Sequence, residues 1–179
     1  MKIKLWGEHA REQTVPLTGA LRDFDIHLDD VVFDETFQVN CTIHRDRDIA
    51  RVTCRVEAPA LLTCARCLEP YRTVITGEFE VVARLLKQGE TPPTVPDNDD
   101  TRDETDLLFV PFGENAIDIT KHVHDVLLLR VPLKPLCTES CRGLCHVCGV
   151  NLNEGVCACS EKPADDRWSA LSGLLGGTE

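Results

Sequence analysis

No apolar run in this chain approaches the length of a membrane span. The strongest, Leu107 to Val110 and Val126 to Leu129, are far too short, since a spanning helix needs about 20 apolar residues. The opening Met-Lys-Ile-Lys-Leu-Trp-Gly-Glu-His has no apolar core of the kind a secretory signal carries. A cytoplasmic protein with reduced thiols is therefore expected. Positive charge is also scarce. There are 19 Lys and Arg against 30 Asp and Glu, a net charge of −11, and no segment is basic. Binding to free nucleic acid is mostly phosphate neutralisation by basic side chains, so weak and strongly salt-sensitive binding to naked RNA is expected. An RNA contact must be local or shared with a second protein, and a basic protein partner suits this charge equally well. Finally, His27, His44 and the other histidines form no His-x-Glu motif of the zinc deaminase kind. No enzymatic activity is expected.

What the chain does have is cysteine. Ten are present in 179 residues, against an ordinary background of 42% hydrophobic and 27% charged residues, the composition of a soluble globular chain with one domain or one domain and a small appendix. Six of the ten fall between Cys137 and Cys159. Within that stretch Cys145-His146-Val147-Cys148-Gly149 has the form of a zinc knuckle, with a glycine that lets the backbone past the second sulfur. Cys157-Ala158-Cys159 returns two more sulfurs after a short loop, Asn151 to Gly155. A second Cys-x-x-Cys, Cys64-Ala65-Arg66-Cys67, lies between two strand-like segments. A thioredoxin-like dithiol would instead open a helix after a strand, and Glu69-Pro70 discourages a helix there. Metal ligation is preferred over a disulfide-bonded or redox role.

Eight cysteines thus form four close pairs: 64/67, 137/141, 145/148 and 157/159. They suit two Zn2+ ions, with at least one expected. The local partition gives Cys145, Cys148, Cys157 and Cys159 one ion, and Cys64, Cys67, Cys137 and Cys141 the other; swapped pairings stay open. A closed four-thiolate site has no free coordination position, which makes it structural. The redox or zinc-sensing use of Cys64 and Cys67 is the competing reading.

The remaining sequence predicts an α+β protein, with an antiparallel β-rich part over 1–133 and a Cys-rich, zinc-ribbon-like tail over 134–179. Phe37, Val39, Cys41 and Ile43 alternate with polar residues, as do Ala50, Val52, Cys54 and Val56 across the turn-like Arg45-Asp46-Arg47-Asp48. This is a half-buried hairpin, with Cys41 and Cys54 as small core residues and Arg51 and Arg55 on the opposite face. Further strands are expected at Leu61 to Thr63, Arg72 to Leu86 and Leu107 to Val110. Residues 88–106 form an acidic, proline-bearing loop with no apolar periodicity, read as a mobile insertion. Asp118 or Thr120 caps a helix whose face carries Ile119, Val123, Val126 and Leu127. Pro132 stops that helix, and His122 and His124 are expected to be exposed. Trp168, Leu171, Leu174 and Leu175 suggest a short tail helix.

The block Cys64-Ala65-Arg66-Cys67-Leu68-Glu69-Pro70-Tyr71, followed by Ile117-Asp118-Ile119 to Leu129, Pro132, Leu136-Cys137, Cys141-Arg142-Gly143-Leu144-Cys145, Cys148-Gly149, Asn151-Leu152-Asn153 and Cys157-x-Cys159, resembles the YceD family. These are bacterial and plastid proteins linked to accumulation of large-subunit ribosomal RNA. The resemblance covers roughly residues 60–175, with His146 at a usual proline and Asp166 at the proline of a usual Asp-Pro-Arg step. It implies a non-enzymatic role in ribosome biogenesis. The eight motif cysteines become metal ligands. The partner is large-subunit ribosomal RNA, a basic large-subunit ribosomal protein, or both. Arg66 and Arg142, within the motifs, become the first candidates for RNA contact, beside Arg51 and Arg55.

Overall fold

A computed structural model describes residues 1–5, 11–24, 26, 31–92 and 106–159. Its body is an antiparallel meander of three long strands, β4 (Thr36–Asp46), β5 (Ile49–Thr63) and β6 (Pro70–Leu85). The β4–β5 turn is tight because Arg47 takes a left-handed backbone, φ 53°. That turn sets Asp46 opposite Ile49 and carries the register back to Gln38 opposite Glu57. Edge strand β2 (Glu12–Ala20) pairs with β4, and β3 (Val31–Phe33) pairs with the far end of β5. The fifth strand in the row, β7 (Asp106–Val110), runs parallel to β6. A separate two-stranded sheet joins β1 (Lys2–Lys4) to β8 (Ala116–Asp118).

Period-two alternation sorts each long strand into a dry and a wet face. Val39, Ile43, Ala50, Val52, Val56, Ala58, Ala60 and Leu62 are all buried on the dry face. The single described α-helix, α1 (Thr120–Leu129), lays Val123, Val126 and Leu127 against it. Gly77 on β6 makes that approach feasible: a Cβ there would meet Val126 Cγ1 at 2.5 Å. At the start of α1 the Asp118 carboxylate accepts the Thr120 N–H at 2.9 Å and the N-terminal ammonium at 3.2 Å. Hydrogen bonds from Thr120, then the ammonium, hold the Asp118 carboxyl down at about 2.

The α+β class and the β-rich N-terminal region are as the sequence pattern predicts. Four details differ. The segments around Ala50–Val56 and Leu61–Thr63 are one continuous strand, since Pro59 keeps the extended backbone and its carbonyl accepts the Asp34 N–H. One strand pair is parallel, because the long connection from β6 brings β7 back alongside it. His122 and His124 are half-buried, with His122 stacked on Phe79 at 5.5 Å. Cys41 and Cys54 are core residues as expected, but they are not separate reduced thiols. Their register places them directly opposite, Cα atoms 4.1 Å apart, and they form a disulfide with both residues fully buried. The expected tail helix and positions 93–105 of the acidic loop lie outside the described residues.

Candidate functional site

The β5–β6 turn is a built loop. Cys64 N–H bonds Glu69 O at 3.0 Å, Leu68 N–H bonds Cys64 O at 2.9 Å, and Leu68 is left-handed, φ 61°. This compact form turns Cys64 and Cys67 inward, 0% and 3% exposed. The segment after α1 returns to meet them. Ala65 N–H bonds Pro135 O at 2.8 Å, and Leu144 N–H bonds Arg66 O at 3.2 Å. Cys64 Sγ lies 3.7 Å from Cys141 Sγ, and Cys67 Sγ lies 3.7 Å from Cys137 Sγ. Tyr71, Leu136 and Leu144 pack around this group as a small second core.

The second group is local. Cys145 N–H bonds Val150 O and Gly149 N–H bonds Cys145 O, both at 2.9 Å, while Gly149 takes φ 73°. Val147 N–H points at Cys145 Sγ from 3.4 Å, and Cys157 Sγ sits 3.4 Å from the same sulfur. Cys145 is buried and Cys148 exposed.

The structure therefore gathers the eight sulfurs as Cys64, Cys67, Cys137, Cys141 and Cys145, Cys148, Cys157, Cys159, each set lying within 4.8 Å of one another. A tetrahedron of sulfurs about 2.3 Å from a central zinc has edges of about 3.8 Å, so both sets have the right size. Their acid–base chemistry points the same way. Backbone N–H groups, first that of Cys67, draw the Cys64 thiol down to about 6. The Cys148 and Val147 N–H groups likewise draw Cys145 down to about 6. In the same set Cys159 is pushed up to about 12, first by the Cys148 side chain and then by desolvation. Crowded thiols cannot all ionise unaided, and a dication among them removes that repulsion. Both donor sets fit a thiolate-loving divalent metal.

The four arginines considered for RNA contact are placed differently. Arg51 pairs with Glu80 at 2.8 Å and Arg55 with Glu78 at 2.8 Å, both on the exposed sheet face. Arg66 spends its guanidinium on the tail, donating to Cys141 O at 2.8 Å and Glu139 O at 3.2 Å. Arg142 has an exposed side chain, while its backbone N–H bonds Asn153 Oδ1 at 2.8 Å. The sequence reading gave no role to Asn153, whose Nδ2 lies 3.3 Å from Cys141 Sγ. The available signal was an Asn-x-Asn placed between two cysteine pairs, since Asn side chains readily bond nearby backbone and fix turns.

Among the described residues no helix is long and apolar enough to cross a membrane. No solved structure matches the chain. A maize protein described as large ribosomal RNA subunit accumulation protein YCED homolog 1, chloroplastic, is 30% identical over 77% of this chain and 52% of its own length. Its counterpart of the same description from Arabidopsis thaliana is 28% identical over 76% of this chain and 48% of its own. An uncharacterised protein of Mycobacterium tuberculosis is 30% identical over 88% of this chain and 64% of its own. The chain thus spans about half the length of the plant relatives. The family model described as large ribosomal RNA subunit accumulation protein YceD matches residues 52–175, which include β6, α1 and both cysteine quartets, and the chain belongs to that family.

Proposed function

We propose that this protein is a non-enzymatic ribosome biogenesis factor, stabilised by two zinc ions, that supports accumulation or processing of large-subunit ribosomal RNA. The observation that carries this reading is that the family match encloses both quartets, while the plant relatives are described by large ribosomal RNA subunit accumulation. Each quartet supplies four thiolates and no histidine or carboxylate, a closed donor set with no position for water or substrate. Zinc in each quartet offsets two of the four thiolate charges, and in the first quartet it fixes the tail, described over residues 134–159, to the β-rich part, residues 1–133. Cys64 and Cys67 hold one side of that joint, and Cys137 and Cys141 hold the other.

The partner is large-subunit ribosomal RNA or a basic large-subunit ribosomal protein, met in the cytoplasm. Charge favours a shared or local contact, because Arg51 and Arg55 already face Glu80 and Glu78 and the whole chain is acidic. A redox or zinc-sensing role for Cys64 and Cys67 needs an accessible thiolate, and burial at 0% and 3% exposure argues against it.

Two measurements test the proposal. Native mass spectrometry of the reduced protein should find two zinc ions. Deleting the gene should lower large-subunit particles relative to small ones, with restoration by the parent chain and not by one lacking the first quartet. An unchanged subunit profile would overturn the ribosomal role whatever the zinc count.

A further inference from the structure

Among the described residues, one side chain reaches from the loop of the second quartet to a sulfur of the first. Asn153 lies in the loop that closes the second quartet, between Cys148 and Cys157, yet its Nδ2 donates to Cys141 Sγ of the first at 3.3 Å. The residue is exposed, and its hydrogen bonds set its orientation. Oδ1 accepts the Arg142 N–H at 2.8 Å, so the amide nitrogen must face the sulfur. Asn151 Oδ1 accepts from both Asn153 Nδ2, at 2.9 Å, and Asn153 N, at 3.1 Å. Asn151 is itself held by its bridge to Leu144 and by its carbonyl, which accepts the Glu154 and Gly155 N–H groups at 3.2 Å. Leu152 N–H bonds Gly143 O at 2.9 Å, tying the loop to the residues that follow Cys141.

We infer that Asn153 couples the two metal sites: loading the second quartet orders the Asn151–Gly155 loop and so delivers the amide N–H that holds Cys141 as a ligand of the first. This rests on the zinc reading of both quartets. An N–H donor to a metal-bound thiolate stabilises its charge and fixes the direction of its lone pairs, and such outer contacts commonly change metal affinity 10–100-fold. Asn153 is a positioning residue and touches no metal itself.

The test uses the full chain loaded with cadmium, which reports each tetrathiolate site as its own NMR resonance. A Cys148→Ser, Cys159→Ser chain identifies the resonance of the first site. Asn153→Asp keeps the acceptor for Arg142 and replaces the donor with a like charge. It should still bind two ions, shift the first-site resonance and speed chelator-driven release from that site by about 10–100-fold. Asn151→Ala, which removes the brace on Asn153, should act in the same direction but less. Disabling the second quartet should also speed first-site release, and in the Asn153→Asp background should add little, the non-additivity expected of one shared contact. Two bound ions with first-site release unchanged in both Asn variants would overturn the coupling and leave the zinc reading standing. A parent chain that binds no metal would remove both.

Discussion

Each quartet is built from four cysteine sulfurs, and the two differ in where the chain brings those sulfurs from. In the second, Cys145 to Cys159 close on themselves around one short loop, and Cys148 faces solvent. In the first, Cys64 and Cys67 come from the β5–β6 turn and meet sulfurs 70 and 77 residues further along the chain. The first quartet also has a small core of Tyr71, Leu136 and Leu144 around it, while the second has exposed Val147 and Val150 for neighbours. One site folds a loop. The other attaches a tail to a sheet, and burial protects its sulfurs.

The largest expected effect separates them directly. A structural zinc site contributes on the order of 10 kcal/mol of apparent folding free energy at neutral pH. Cys64→Ser with Cys67→Ser should release residues 134–159 to limited proteolysis while the far-ultraviolet circular dichroism of the sheet persists. Cys148→Ser with Cys159→Ser should lose one ion and leave that junction resistant. Equal proteolysis of the two variants would break the distinction. On acidification, thiolates protonate and release metal, and the second site, with its exposed Cys148, should empty at the higher pH.

The next effect lies in the sheet. The Cys41–Cys54 disulfide closes a short loop at a sequence separation of 13, for which a crosslink typically contributes about 3 kcal/mol. Replacing both residues with alanine should lower the unfolding free energy by about that amount, seen as a lower denaturant midpoint at unchanged slope, without changing the zinc count. Alkylation of the unfolded, unreduced, metal-free chain should mark eight thiols. Ten would mean that the pair is reduced.

Two glycines sharpen the comparison at finer scale. Gly143 and Gly149 are both left-handed, φ 74° and 73°. A Cβ on Gly149 meets nothing within 4 Å, whereas one on Gly143 meets Arg66 O at 3.1 Å, a backbone atom of the opposing turn. Gly149→Ala should cost only backbone strain, about 1 kcal/mol. Gly143→Ala should cost about 2 kcal/mol and selectively loosen the first site, read as faster metal release there. The smallest effect lies outside both quartets. Asp118→Ala should cost about 1 kcal/mol through loss of its bond to the first turn of α1. The Asp118 carboxyl sits at about 2 against an ordinary value of 3.8. Its contribution is therefore complete above pH 3.8 and is lost as the pH falls through about 2. The difference in stability between metal-free parent and variant should shrink across that window and stay constant above it.

Much of the fold was legible in the sequence because strand alternation is a local signal. Phe37, Val39 and Ile43, and Val52 and Val56, gave the buried face of the hairpin correctly, and Val123, Val126 and Leu127 gave that of the helix. The division at Leu61 was wrong because the strand continues through Pro59: Asp34 N–H needs only its carbonyl, and a proline keeps that acceptor. The histidines were misplaced because His122 stacks on Phe79, a neighbour supplied by another element. The Arg66 guanidinium looked free in the sequence for the same reason. Its carbonyl partners at Glu139 and Cys141 lie more than 70 residues away.

The sequence by itself determined which cysteines come in pairs, which strand faces are dry, and that no segment carries excess positive charge. Each of these is set by residues within a few positions of one another, where backbone geometry leaves few choices. Only the tertiary structure decided which pair meets which. The register of β4 on β5 set Cys41 against Cys54, and the pairing of β5 with β6 put Glu80 and Glu78 beside Arg51 and Arg55. The path of the chain after α1 carried Cys137 and Cys141 to Cys64 and Cys67. Spacing fixes local geometry, but long-range pairing is chosen by burial of the sheet's whole apolar face, a property no short motif contains.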